Sequence, residues 1–263
     1  MSTTHQMSSS LEDSALYFNL FLLTANVHGK SDGKGTAKRR ITAICGFFLK
    51  YHIIFVQEFQ WNDITRNIWK KNNVSDYYKY VGNKQAGILF NKNELLYKKV
   101  NESKMRKILE EMIKNNILAA DFTPLPRMTA VVLKLNGSCF LCVSWHGYYK
   151  CKAYKKVKDF QNLQSYITKL ASSLDLPFII GGDFNLSLNV AENNLIDSNV
   201  KIYRYDPSHD RKGDTIDFFL SSEHILLKNI YPIKWPGSAD NNKIFDHVSV
   251  QAILIVAISY LVC

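Results

Sequence analysis

With 263 residues, 46% of them hydrophobic, the chain can bury one large two-layer core, and beyond a polar start at Met1 to Ser10 it carries no linker, repeat or low-complexity block. Its five cysteines are odd in number and sit largely in apolar or strand-like surroundings, which argues against a secreted disulfide framework and for a reducing, intracellular setting. The 33 Lys and Arg residues against 23 Asp and Glu leave a formal charge of +10, suited to a polyanionic partner.

In chain order, residues 1–15 read as a disordered tail and 16–263 as one folded domain. The apolar run from Leu16 to Leu23 has no Lys or Arg before it, so it reads as a first buried strand reaching Asn26 and not as a signal peptide. Thr36 to Tyr51 has Ile41, Ile44 and Phe48 at helical spacing behind Lys38, Arg39 and Arg40, which predicts a covering helix. Ile53 to Val56 is a second buried strand, Asp63 to Lys71 a second helix, and Tyr77 to Val81, Gly87 to Phe90 and Leu95 to Val100 are antiparallel strands between Asn-rich turns. Ser103 to Asn115 puts Met105, Ile108, Leu109 and Met112 on one helical face. Met128 to Leu135 and Cys139 to Ser144 flank Asn136-Gly137-Ser138 and predict a hairpin. Lys152 to Leu174 follows as a long helix with Val157, Phe160, Leu163, Ile167 and Leu170 on its buried face. The first half of the apolar end from Ala252 to Cys263 completes a last strand, its remainder from Val256 suits packing over a sheet edge or an interface, and the whole run is short of the roughly 20 residues of a spanning helix, so no stable membrane insertion is expected. This order suits an α/β sandwich of four layers, two mainly antiparallel sheets face to face with helices outside.

The residues that carry chemistry gather at strand ends. In Phe178-Ile179-Ile180-Gly181-Gly182-Asp183-Phe184-Asn185-Leu186 an apolar strand delivers Asp183 and Asn185, which an alternating strand projects to one side. Such a pair supplies an acid that orients or deprotonates water and an amide that binds a phosphoryl oxygen. The glycines are expected to let the backbone turn and to leave room for a ligand, although Gly-Gly-Asp is also an ordinary turn. Five further strand ends bear Asn26 and His28, Gln57-Glu58, Trp145-His146-Gly147, Asp217, and Asp246-His247. Singly each has a bland reading: a lone His beside Trp is commonly a packed neighbour, and a lone strand acid commonly pairs with Lys. Cys139 and Cys142 have the spacing of a metal pair but lack a second pair, so they read as packing thiols. Gly29 to Gly35, with Lys30 and Lys34, suits a phosphate-contacting loop without the Walker spacing, and Trp61 and Tyr148-Tyr149 suit base stacking.

Taken in order, these segments resemble the endonuclease/exonuclease/phosphatase superfamily, with its deoxyribonuclease-I-like fold, from about Leu16 to about Leu254. The resemblance implies a divalent cation, Mg²⁺ or Mn²⁺, on Glu58, with Asp246 on either the metal or the water. It implies His247 at the scissile phosphate with Asp217 behind its other ring nitrogen, Asp183 orienting the attacking water, Asn185 on a phosphoryl oxygen, and His146 as phosphate ligand or acid. Asn26, His28 and Arg127 join substrate binding. Apurinic endonucleases carry Asp at the His28 position and Tyr at the His146 position, so the resemblance points away from a dedicated abasic-site enzyme. The expected activity is a Mg²⁺-dependent phosphoesterase, an endonuclease or exonuclease hydrolysing phosphodiester bonds of nucleic acid, DNA or RNA. The alternative is a phosphatase or phosphodiesterase of phosphoinositide, sphingolipid or DNA-adduct substrates, and a third reading is a catalytically silent nucleic-acid-binding module.

Overall fold

In the computed structural model, which describes residues 17–27, 42, 45–46, 50–59, 62–205, 215–233 and 249–257, the strands form two six-stranded sheets. The readings made for residues 1–15, His28, the 29–35 loop, Trp61, Asp246, His247 and residues 258–263 lie outside the described residues, as does most of the helix expected from Thr36 to Tyr51. In chain order the strands are β1 (Tyr17–Asn26), β2 (Ile53–Gln57), β3 (Tyr78–Gly82), β4 (Ala86–Asn91), β5 (Leu96–Lys99), β6 (Met128–Leu135) and β7 (Ser138–His146). They continue as β8 (Phe178–Asp183), β9 (Val200–Tyr203), β10 (Asp217–Ser222), β11 (Leu226–Ile233) and β12 (Ser249–Ala257). One sheet has the order β11-β12-β1-β2-β4-β3 and the other β5-β6-β7-β8-β10-β9. Each is antiparallel except for one central parallel pair, β1 with β2 and β7 with β8.

Parallel neighbours need a long crossover. Between β7 and β8 it is the helix Ala153–Ser172, which with Glu102–Lys114 covers the outer face of the second sheet and buries Phe160, Leu163, Tyr166, Ile167, Met105, Ile108 and Met112 there. These helices follow Asp63–Lys71 (α1) and Val74–Tyr77 (α2) and are therefore α3 (Glu102–Lys114) and α4 (Ala153–Ser172); a short α5 (Leu188–Glu192) comes after β8. Asn101 starts α3 by accepting from the Ser103 and Lys104 amides at 2.8 and 3.3 Å. Asn136 (φ 47°) and Gly137 (φ 92°) make the two-residue turn that joins β6 to β7, as their identities predict.

Three apolar layers follow from the strand alternation. Leu20, Leu22, Phe55, Phe90, Leu133, Phe140, Ile179 and Phe219 fill the space between the sheets. Leu23, Ala25, Ile54, Val56, Ile68 and Trp69 form the outer layer of the first sheet, and the helix-covered layer is that of the second. No helix among the described residues is long and apolar enough to cross a membrane. Two expectations change at β8. The glycines do not turn the chain: both lie within the strand, where a Cβ at Gly181 would stand 2.6 Å from the Phe55 ring of the facing sheet and one at Gly182 would stand 2.2 Å from the Trp145 carbonyl oxygen. The strand stops at Asp183, so Asn185 does not alternate with it but sits in left-handed backbone at φ 51°.

Candidate active site

β1 and β2 run the same way, as do β7 and β8, and their carboxyl ends meet at one end of the sandwich, the place where sheets of this kind open a ligand cleft. Asn26 ends β1, Glu58 follows β2, His146 ends β7 and Asp183 ends β8. In the second sheet His146 lies opposite Asp183, and Asp183 opposite Asp217, so the imidazole and two acids share one row across three strands.

Asp183 is held on both oxygens. Its Oδ2 accepts from Asn26 Nδ2 at 2.9 Å, across the two sheets, and its Oδ1 accepts from the Asn185 amide at 2.8 Å. Only 1% of Asp183 and 2% of Asp217 is exposed, and a carboxylate so deep must be met by donors or positive charge. Asn185, turned out of the strand, donates from Nδ2 to the Gly147 carbonyl at 3.1 Å. Beneath this level Gln57 donates to Ser144 Oγ and Ser144 to the Val56 carbonyl, both at 3.1 Å, which fixes the spacing of the sheets under the cleft.

His146 is the hub. Its Nε2 lies 3.5 Å from Glu58 Oε1 and 3.8 Å from Asp183 Oδ2, so two carboxylates from different sheets flank one ring nitrogen. Its Nδ1 lies 2.8 Å from Gln85 Oε1, a carbonyl-type acceptor that favours a proton on Nδ1, and 3.4 Å from a terminal nitrogen of Arg127, while Nε2 faces the acids. Gln85 carries no signal in the sequence. It stands in a turn built by Asn83, whose Oδ1 accepts from the Gln85 and Ala86 amides and whose Nδ2 donates to the Met128 carbonyl. Glu58 itself adopts φ 53°, a conformation that costs a non-glycine residue about 1–2 kcal/mol and lifts its carboxylate off the strand. The Glu58 amide donates to the Gln85 carbonyl at 2.9 Å, so the same turn sets both groups.

Arg127, expected to bind substrate, grips the backbone beside His146. Its Nε donates to the His146 carbonyl at 2.6 Å and its terminal nitrogen to the Gly147 carbonyl at 2.7 Å, while the guanidinium lies 4.5 Å from the centre of the Tyr148 ring. Burial pulls the guanidinium below its ordinary value and Tyr148, Asp183 and Glu58 push it back, so it remains a fixed positive charge at the cleft wall.

Asn26, Glu58, Arg127, His146, Asp183, Asn185 and Asp217 are thus brought to one end of the sandwich, whereas His28, Asp246 and His247 lie outside the described residues. Among the described residues no group of three or more His, Cys, Asp or Glu side chains is arranged to hold a metal ion. The Glu58 carboxylate, 18% exposed, is nevertheless a hard oxygen donor of the kind Mg²⁺ and Mn²⁺ take.

Residues 23–240 match the Endonuclease/Exonuclease/phosphatase family. No curated protein sequence matches the chain. Among solved structures, the human Nocturnin catalytic domain with bound sulfate anion is similar at a TM-score of 0.65 and 15% identity, over 92% of this chain and 96% of that one. D. rerio TDP2 complexed with single strand DNA product is similar at a TM-score of 0.60 and 16% identity, over 90% and 98%. The mannosyl-6-phosphatase Bt3783 of Bacteroides thetaiotaomicron VPI-5482 gives a TM-score of 0.60 at 18% identity, over 89% and 99%. At these identities the likeness concerns the fold.

Proposed function

Because the chain belongs to the endonuclease/exonuclease/phosphatase family, whose members hydrolyse phosphoesters, we propose that its cleft cleaves phosphodiester bonds of nucleic acid with the help of Mg²⁺ or Mn²⁺. The observation that carries this reading is the meeting of Glu58 and Asp183 at Nε2 of His146, at the carboxyl ends of both parallel strand pairs. The choice of nucleic acid rests on the formal charge of +10, since fold alone does not select a substrate and similar structures include a DNA complex and a sugar-phosphate phosphatase. The cysteine usage fits an intracellular setting.

The contacts of the described residues support the following parts. Asp183, fixed by Asn26 and the Asn185 amide, orients the attacking water and takes its proton. Asn185 has a second amide hydrogen for a phosphoryl oxygen. His146, whose Nδ1 faces the Gln85 amide oxygen, would use Nε2 to hold a phosphoryl oxygen or protonate the leaving oxygen when both ring nitrogens carry a proton. By the family resemblance, Glu58 and Asp246 would hold the cation and Asp217 would back His247 at the phosphate. A cation held there would neutralise charge that develops on the phosphoryl oxygens.

The test offers the purified protein plasmid DNA, single-stranded RNA, an abasic duplex and a soluble phosphoinositide, each with Mg²⁺ and with EDTA. Cutting of a nucleic acid in Mg²⁺ alone, slowed on the order of 100-fold or more by Asp183→Asn, is the expected result. Turnover of the phosphoinositide alone would assign the site to the phosphatase branch.

A further inference from the structure

Beyond His146 the chain leaves the cleft in a fixed direction. Gly147 is held by its amide to the Asp183 carbonyl at 2.7 Å and by Arg127 on its own carbonyl, and a Cβ there would stand 2.2 Å from the Phe184 carbonyl oxygen. The segment 147–158 then runs from the site residue His146 into the first turns of α4. It carries Lys150, Lys152, Lys155, Lys156 and Lys158 and no acidic residue. Lys155 is paired with Asp121 at 2.8 Å and Asp159 at 2.9 Å, whereas the other four lysines have no carboxylate partner among the described residues. Lys156 lines a small pocket with Trp145, Gly147, Tyr148, the Asp159 that pairs with Lys155, Phe160 and Phe184. Two tyrosines accompany the lysines with unusual exposure: Tyr149 is 52% exposed with Lys150 Nζ 5.2 Å from its ring centre, and Tyr154 is 69% exposed. Tyr154 and Lys158, four residues apart on a helix, stand side by side on its outer face.

Positive side chains interleaved with open aromatic rings, running outward from a phosphoesterase cleft, match a strand of phosphates with unpaired bases. Lysines follow the backbone charge, and a ring face stacks only on a base that is free of a duplex. A single headgroup would need donors converging on one point, and these are strung along a loop and a helical turn. We propose that Tyr149, Tyr154, Lys150, Lys152 and Lys156 bind the single-stranded segment of a nucleic-acid substrate on one side of the bond that is cut. The proposal rests on the nucleic-acid reading of the site for its substrate class, but its test does not require turnover.

The experiment measures binding of fluorescent single-stranded DNA, single-stranded RNA and duplex DNA oligonucleotides in EDTA, from 50 to 200 mM salt. It compares the wild-type protein with Tyr149→Ser/Tyr154→Ser, with Lys150→Ser/Lys152→Ser/Lys156→Ser, and with the charge-matched Lys98→Ser/Lys99→Ser/Lys228→Ser at exposed positions elsewhere. The tyrosine variant is expected to bind single strands about ten-fold more weakly or worse, with the duplex little changed. The lysine variant is expected to flatten the dependence of log affinity on log salt by about 2, and the charge-matched control by much less. Equal loss in the lysine variant and its control, no loss in the tyrosine variant, or no oligonucleotide binding at all would overturn the surface. Hydrolysis of nucleic acid with any of those results leaves the active-site reading standing without it. Surface-dependent binding of single strands without hydrolysis does the reverse, and DNA against RNA decides between the two sources of the strand.

Discussion

Gln85 shows how one neutral side chain can decide the chemistry of a charged cluster. Two acids flank Nε2 of His146, and the amide oxygen beside the opposite ring nitrogen favours a proton on Nδ1 and holds the direction in which the ring faces. A leucine at position 85 fills similar space without an acceptor, so the ring loses its preferred tautomer while the sandwich stays folded. Gln85→Leu is therefore expected to lower kcat about 10–100-fold with KM little changed, on whichever phosphoester the protein turns over. ¹⁵N spectra should show the His146 ring nitrogens losing the pattern of a proton fixed on Nδ1. An unaltered tautomer with an unaltered kcat would remove Gln85 from the site. Arg127 acts at the same scale but on backbone: it pins two successive carbonyls, which keeps His146 at the end of β7 and sends the next residues outward.

At the scale of the element, β8 carries the strictest demands. Its six residues are buried along their whole length, between β7 and β10 and under the first sheet. Gly181 admits the Phe55 ring, which meets Phe219 edge-on at 5.9 Å, and Gly182 admits the Trp145 carbonyl. A ring can shift, but a strand carbonyl in a ladder cannot do so without breaking the ladder. Gly182→Ala is accordingly expected to destabilise the protein by about 1–3 kcal/mol or more, read as a lower denaturant midpoint. It should also disturb the pairing of His146 with Asp183, one residue away on both strands. A midpoint equal to wild type would mean that β7 yields at Trp145 and that this contact does not hold the register.

Buried hydroxyls tie neighbouring elements of each layer together, and this sets the behaviour of the whole molecule in alkali. Tyr51 is buried and donates to Gln251 Oε1 on β12, and its phenol is pushed up to about 12, chiefly by burial and further by Tyr231. Burial alone pushes up Tyr80 and Tyr166 as well. A folded value above the ordinary 10.0 means that the group's contribution is complete below pH 10 and is lost as the pH rises toward about 12, because only the unfolded chain can ionise there. The thermal midpoint should therefore fall between pH 10 and 12. Tyr51→Phe should lose about 1 kcal/mol at neutral pH with the hydrogen bond but decline less steeply in alkali. A slope identical to wild type would show that Tyr51 ionises freely in the folded protein.

What was legible in the sequence was local. Continuous apolar runs marked β2 and β8, a 3.6-residue period marked α3 and α4, Asn136-Gly137 marked the β6–β7 turn, and the strand-end positions of Glu58, His146 and Asp183 followed from where those runs stop. The edge strands β9 and β11 escaped, since half-exposed strands mix polar residues with apolar ones and β11 carries Pro232 and a bulge. The tertiary structure alone decided that Asn185 leaves the strand, that the two glycines serve packing, that Arg127 holds backbone, and that Gln85 sets His146. The reason is distance along the chain: Gln85 and His146 are 61 residues apart, Asn26 and Asp183 are 157 apart, and no periodicity within one element records a partner supplied by another.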